Sequence, residues 1–128
     1  MDATRLILVR HGQAHCNVRG VIGGPRGCTG LTDHGRHQAR LLAARLHAEH
    51  AQAPITAAYT TPLPRACQTA DIISGELSIP ITPDDDLREP DYGNADGQPW
   101  AHVVAAFGRI PALYPDQPIA PGAEPWTS

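Results

Sequence analysis

Three short apolar runs predict the strands of the fold. The first covers Leu6 to Val9, the second Ile55 to Tyr59 and the third Ile79 to Thr82. Runs of this length, bounded by proline, charged residues or turn residues, are typical of buried strands. The first run leads directly into an arginine and a histidine, so a cation and an imidazole follow the strand without a break.

Apolar residues at a spacing of three or four predict two helices between these runs. The first helix covers residues 32–50, and Thr32 or Asp33 can cap its beginning. Pro62 opens the second, since a proline suits the first helical position, where no N–H is needed. This start places Arg65 in the first turn. A further short helix is predicted from Trp100 to Gly108.

The order strand, helix, strand, helix, strand predicts an α/β fold with a mainly parallel central sheet. Helices then cover both faces of the sheet, which gives a three-layer α/β/α arrangement. The length of 128 residues suits one domain, residues 1–128, and is too short for two. The glycine-rich segment from Gly20 to Gly30 predicts a loop near the end of the first strand.

The composition excludes several classes of function. Hydrophobic residues make up 41% and charged residues 18% of the chain, which is ordinary for a globular protein. The net charge is -3 and the ten basic residues are scattered, so we expect no nucleic-acid partner. The apolar runs are too short to cross a membrane and the N-terminus has no secretory pattern. We therefore expect no membrane partner and a cytoplasmic location.

The cysteines predict reduced thiols rather than a disulfide framework or a metal site. Cys16, Cys28 and Cys67 are odd in number and widely spaced. A metal site could be assembled from Cys16 and Cys28 with His34 and His37, but the spacing matches no common zinc module. We expect no metal and no cofactor.

Candidate site residues follow each of the three predicted strands. Arg10 and His11 follow the first, Arg65 the second and Glu89 the third. The carboxyl ends of parallel strands meet at one edge of a sheet, where ligands bind, and arginines beside an imidazole form an anion clamp next to a nucleophile. Taken singly, Arg65 also fits a surface arginine and Glu89 a solvated acid. Asn17, which lies shortly after His11 in the sequence, fits a turn residue.

Four segments in order resemble motifs of the histidine phosphatase superfamily, also called phosphoglycerate mutase-like. The segments are Leu8-Val9-Arg10-His11-Gly12-Gln13 with Asn17 after it, residues 31–39, residues 61–70, and Leu87-Arg88-Glu89 followed by Gly93 and Gly97. The match covers residues 5 to about 98, and four motifs in one order are specific where a single motif is not. The resemblance implies a phosphoglycerate mutase-like fold.

The resemblance also implies a role for each candidate residue. His11 is the nucleophile that forms a phosphohistidine, which water later hydrolyses. Arg10, Asn17 and Arg65 bind the phosphate, and Glu89 is the general acid. The nucleophilic nitrogen of His11 must be neutral, so we expect the other ring nitrogen to donate to a backbone carbonyl. The implied partner is a small phosphorylated substrate.

The sequence departs from the family in one respect. The family has a second active-site histidine on a later strand, and these 128 residues contain no such segment. Pro121 to Glu124 resembles the start of the region that precedes it. We therefore expect a C-terminally incomplete domain, with weak activity unless a partner chain completes the site. We also expect an exposed hydrophobic sheet edge beside the first strand, which favours association into a homo-oligomer.

Three functions remain open. A metal-independent phosphomonoester phosphatase acting through His11 is the leading one, because the loop from Glu89 to Gly97 resembles the phosphatase branch more than the mutases. The second is a phosphoglycerate mutase-type phosphotransferase. The third is a non-catalytic phosphate-binding fragment of a larger enzyme.

Overall fold

The computed structural model describes residues 3–108 and 111–126, which form helices around a small parallel sheet. Four α-helices and two strands carry the described part of the fold. In chain order they are α1 (His15–Arg19), α2 (Asp33–Gln52), β1 (Ala58–Thr60), α3 (Pro64–Leu77), β2 (Ile81–Pro83) and α4 (Trp100–Phe107). Short 3-10 turns lie at Asp85–Leu87, Gly93–Ala95 and Pro111–Leu113.

The strands β1 and β2 pair in parallel, and α3 makes the crossover between them. Ala58 lies opposite Ile81 and Thr60 opposite Pro83. The predicted second and third strands are thus confirmed in place, although β1 begins at Ala58 rather than Ile55. The α/β class with a parallel sheet is also confirmed.

The predicted first strand, Leu6 to Val9, is wrong within the described residues. Residues 3–10 form neither a strand nor a bridge, and Leu6 and Leu8 are 79% and 86% exposed. Ile7 alone of these packs against the core between α2 and α3. An apolar run becomes a strand only where a neighbouring strand supplies ladder hydrogen bonds, and the sheet described here has two strands. Association through an exposed edge stays a prediction.

The predicted helices are confirmed with small shifts. The first is α2, in which the Thr32 hydroxyl accepts a hydrogen bond from Gly35 N at 3.0 Å and so caps the helix. The second is α3, which begins at Pro64 rather than at Pro62. Pro64 takes the first helical position, where the N–H that proline lacks would have no partner within the helix. Arg65 still lies in the first turn.

The five-residue helix α1 was not predicted. It lies just before the predicted loop of residues 20–30 and ends at Gly20, which adopts the left-handed conformation with φ of 67°. Glycine adopts that conformation without steric cost, which ends the helix there.

Two hydrophobic clusters hold the elements together. One joins α2 to α3 through Ala43, Leu46, Ile73 and Leu77. The other packs the loop after α1 against α4 and the C-terminal segment, through Ile22, Tyr92, Ala95, Val103 and Ile119. The candidate site lies on segments anchored by both clusters. No helix in the described part of the chain is long and apolar enough to cross a membrane.

Candidate active site

The backbone fixes the tautomer of His11. Its Nδ1 lies 2.6 Å from the carbonyl oxygen of Gly12. A carbonyl can only accept, so Nδ1 carries a proton, and in the neutral ring Nε2 presents the lone pair. The Gly12 carbonyl is therefore the acceptor that the sequence predicted without identifying it, and this tautomer leaves Nε2 as the nitrogen that a nucleophilic role requires.

Gly12 itself is fixed between two helices. Its N–H donates to Thr69 Oγ1 on α3 at 3.1 Å. A Cβ atom at Gly12 would lie 2.3 Å from the carbonyl oxygen of Gly35 in the first turn of α2, and one at Gly35 would lie 2.0 Å from the Gln13 carbonyl oxygen. Both positions require glycine, because backbone atoms on each side leave no room for a methyl group.

Arg10, His11 and Asn17 line a common cavity of about 480 Å³. The other lining residues are Gly12, Gln13, Gln38, Ala39 and Leu42. Among these residues none carries a carboxylate, and Arg10 supplies a permanent positive charge. The structure therefore brings three of the predicted site residues, Arg10, His11 and Asn17, together around one cavity.

Three side-chain amides around this cavity have their oxygens occupied. Asn17 Oδ1 accepts from Ala14 N at 2.9 Å, and Gln38 Oε1 accepts from Gln13 N at 2.9 Å. The Gln13 Oε1 atom accepts from the Thr32 hydroxyl at 2.8 Å. Since a backbone N–H can only donate, the first two bonds fix the orientation of the Asn17 and Gln38 amides and leave their NH₂ groups as donors. A cavity lined by donors and one guanidinium suits an anion.

Arg65 is buried, with 5% of its surface exposed. Its Nη2 donates to Glu89 Oε1 at 2.9 Å, and its Nη1 donates to the carbonyl oxygen of Gly23. Burial lowers the pKa of Arg65, but the Cys28 thiol and the Glu89 carboxylate outweigh burial and raise it. The guanidinium is thus held as a cation inside the protein.

Glu89 accepts hydrogen bonds at both carboxylate oxygens. Besides the bond from Arg65, its Oε2 accepts from the Tyr92 hydroxyl at 2.5 Å. The pKa of Tyr92 is raised by burial first and then by this bond to Glu89, so the phenol stays protonated and donates. Glu89 lines a second, smaller cavity of about 140 Å³ together with Pro62 and Leu63.

The candidate residues therefore form two groups that meet at α3. Arg65 and Glu89, predicted after different strands, are in direct contact. His11 belongs to the group around the larger cavity, and Thr69 connects the two, since its hydroxyl donates to the Arg65 carbonyl at 2.8 Å while it accepts from Gly12. Thr69 was not among the predicted site residues. A threonine one turn after an arginine carries no signal of its own.

The three cysteines are free thiols. Burial raises the pKa of Cys16 and of Cys67, which keeps both protonated. Among the described residues, no group of three or more histidines, cysteines and carboxylates is arranged to hold a metal ion.

A comparison with known protein families identifies the family of this chain. The sequence profile of the histidine phosphatase superfamily (branch 1) matches residues 6–127. The chain belongs to the histidine phosphatase superfamily. Within this superfamily it is 33% identical over 107 residues to a probable phosphatase of Schizosaccharomyces pombe, covering 84% of this chain and 36% of that protein.

Two further members are similar in sequence or structure. A 2,3-bisphosphoglycerate-dependent phosphoglycerate mutase of Azorhizobium caulinodans is 36% identical over 107 residues, covering 81% of this chain and 50% of the mutase. The solved structure of YhfR from Bacillus stearothermophilus superimposes with a TM-score of 0.71 at 32% identity, over 91% of this chain and 56% of YhfR. The chain thus spans half the length, or less, of these two curated relatives.

Proposed function

We propose that this member of the histidine phosphatase superfamily hydrolyses small phosphomonoesters through His11, without a metal ion. One observation carries the proposal: the ring of His11, whose Nδ1 is directed at the Gly12 carbonyl so that Nε2 is left for the phosphate, lines a cavity whose other polar side chains are a guanidinium and amides. Such a cavity binds a phosphate group and presents a nucleophile to it.

In the proposed first step, Nε2 of His11 attacks phosphorus. A bond from nitrogen to phosphorus forms as the bond from phosphorus to the ester oxygen breaks. Glu89, in its protonated form, gives its proton to the departing alkoxide, and a water molecule activated by Glu89 then hydrolyses the phosphohistidine. Phosphoryl transfer gains mainly from positioning and from neutralising the outer oxygens, which Arg10 and the Asn17 amide do.

The contact between Arg65 and Glu89 supports a linked change of protonation. Arg65 Nη2 donates to Glu89 Oε1 at 2.9 Å. A phosphate oxygen that takes this donor removes a favourable partner from Glu89 and adds a nearby negative charge. Both effects favour the protonated carboxyl that a general acid requires.

A mutase-type phosphotransferase is the second candidate. The observation that favours it is the identity of 36% to the Azorhizobium mutase over 107 residues. The two functions share the attack by His11 and differ in the acceptor of the phosphoryl group, which is water in one and a second hydroxyl of the substrate in the other.

The test is hydrolysis of p-nitrophenyl phosphate by the 128-residue chain and by His11→Ala, each with and without a chelator. His102→Ala is the matched control, because His102 is an exposed histidine on α4 that does not line either cavity. We expect turnover that survives the chelator, disappears in His11→Ala and persists in the control. The expected sign of the intermediate is a phosphate bound to the protein that is labile in acid and stable in base, observed by ³¹P NMR after the reaction is quenched.

Other results would overturn parts of the proposal. Turnover in His11→Ala would remove His11 as nucleophile, and loss of turnover in chelator would remove the metal-independent mechanism. Interconversion of monophosphoglycerates faster than hydrolysis would favour the mutase. Phosphate binding without any turnover would identify a non-catalytic phosphate-binding portion of a larger enzyme.

A further inference from the structure

The buried carboxylate of Asp96 organises the loop that follows α1. Oδ1 accepts from the backbone N–H groups of Gly24 at 2.9 Å and Gly27 at 2.8 Å, and Oδ2 accepts from the N–H of Arg26 at 2.8 Å. Three charge-assisted bonds to one buried carboxylate fix the loop firmly, since each is stronger than a neutral hydrogen bond. The Arg26 side chain lies 3.8 Å from Oδ2 of Asp96, and its Nη2 donates to the Gly93 carbonyl at 2.8 Å.

The loop is shaped to enclose this carboxylate. A Cβ atom at Gly24 would lie 2.7 Å from Asp96 Cγ, and one at Gly27 would lie 2.9 Å from Oδ1. Ile22 bonds through its N–H to the Gln98 carbonyl and through its carbonyl to the Gly97 N–H, both at 2.9 Å. The segment around Asp96 therefore fixes residues 22–27 in two ways, through the backbone of Gly97 and Gln98 and through the Asp96 side chain.

The same loop supplies two acceptors to Arg65. The Gly23 carbonyl accepts from Nη1 of the guanidinium, and Cys28 Sγ accepts from the Arg65 backbone N at 3.4 Å. A Cβ atom at Gly23 would lie 2.7 Å from Nη1, so the loop backbone lies directly against the guanidinium. A displacement of this loop moves an acceptor of Arg65.

We infer that Asp96 is a positioning residue for Arg65, acting through the Gly23 carbonyl. The inference rests on the proposed role of Arg65 in binding phosphate. Of the hydrogen-bonding atoms of the guanidinium, Nη1 is directed by the loop and Nη2 by Glu89. When Glu89 releases Nη2 to a phosphate oxygen, the Gly23 carbonyl still directs the guanidinium, and Asp96 holds that carbonyl in place.

The test is a double-mutant cycle on the affinity of the chain for inorganic phosphate and vanadate, measured by titration calorimetry. Asp96→Asn keeps the shape but turns one acceptor oxygen into a donor that faces an N–H group. We expect this variant to bind phosphate about tenfold more weakly, and to have no further effect in an Arg65→Ala background. Asp116→Asn, an exposed aspartate on the C-terminal segment, is the matched control and keeps the full affinity.

Three outcomes separate the possibilities. Equal losses from Asp96→Asn with and without Arg65 would overturn the inference, because a general weakening of the fold acts independently of Arg65. Unchanged affinity in Asp96→Asn would also overturn it, provided that Arg65→Ala binds more weakly. If Arg65→Ala itself binds phosphate normally, the proposed role of Arg65 fails instead.

A second variant covers the case in which Asp96→Asn does not fold. Gly24→Ala places a methyl group against the Asp96 carboxylate while keeping its charge. We expect Gly24→Ala to bind phosphate more weakly, as Asp96→Asn does. In the Arg65→Ala background, Gly24→Ala should cause no further loss of phosphate affinity.

Discussion

Arg88 and Glu124 are joined by two parallel hydrogen bonds, from Nη1 to Oε2 at 2.9 Å and from Nη2 to Oε1 at 3.0 Å. Glu124 Oε2 also accepts from the N–H of Asp91 at 2.9 Å. The C-terminal segment therefore holds the chain on both sides of Glu89. The Arg88 side-chain hydrogen bonds, followed by the Asp91 N–H, lower the pKa of Glu124 from 4.5 to about 2.

This pair predicts a specific dependence of stability on pH. A carboxyl whose pKa is lowered by folding stabilises the fold fully above its unfolded value of 4.5, and the contribution is lost as the pH falls toward about 2. The free energy of unfolding should therefore differ most between the unaltered chain and Glu124→Gln near neutral pH, and the difference should narrow on acidification. Urea unfolding followed by circular dichroism at steps between neutral pH and about pH 3 measures this.

Asp116→Asn serves as the control for the loss of one negative charge. The interpretation of the Arg88 pair would be wrong if Glu124→Gln differed from the unaltered chain by the same amount at every pH. A constant difference would indicate a contribution from shape rather than from ionisation.

Two helical glycines should respond to alanine in opposite directions. In Gly35→Ala the new methyl group meets the Gln13 carbonyl at 2.0 Å, so we expect a loss of about 1–3 kcal/mol or more from overpacking against backbone. In Gly75→Ala, no described atom beyond the adjacent residues and the nearby backbone of α3 lies within 4 Å of the new Cβ atom. Alanine should stabilise α3 there by about 0.5–1 kcal/mol, because it lowers the entropy cost of forming the helix.

Urea unfolding of both variants at neutral pH tests this contrast. A neutral result for Gly35→Ala would show that the segment after His11 moves away from α2 at little cost. In that case the close approach of Gly12 to Gly35 would not be what holds the loop.

Alanine substitutions of two leucines on α2 should differ as sharply in the stability that they cost. Leu46 is 5% exposed and packs against α3, whereas Leu41 is 61% exposed. Leu46→Ala should cost about 2–5 kcal/mol, through lost burial and the cavity that remains. Leu41→Ala should stay within about 0.5 kcal/mol. Equal midpoints of thermal unfolding for the two variants would contradict the packing of α2 on α3.

The three longer helices and the closeness of Arg65 to Glu89 were predictable from sequence. The helices follow from local periodicity, which residues 32–50 carry within their own segment. Their closeness follows from topology, since two parallel strands that end at one edge bring the residues after them together. Arg65 and Glu89 needed only this rule and their positions along the chain.

Two features were not predictable from sequence: that residues 6–9 do not form a strand, and that the amides beside His11 act as donors. Leu6 to Val9 has the composition of a strand, but a strand forms only with a partner, and composition does not supply one. Asn17 and Gln38 became donors because other groups already occupy their oxygens. Which amide atom faces a cavity depends on contacts between segments distant in sequence.

Thr69 should control the connection between the two groups of site residues. Its hydroxyl accepts from the buried Gly12 N–H and donates to the Arg65 carbonyl. Thr69→Val keeps the shape but leaves the Gly12 N–H without its partner, which should cost about 1–3 kcal/mol. Thr69→Ser keeps the hydroxyl and should retain most of the stability. Amide hydrogen exchange gives the sharper measurement: the Gly12 amide should exchange faster in Thr69→Val and remain protected in Thr69→Ser. Equal protection of Gly12 in both variants would show that the hydroxyl does not hold the segment that carries His11.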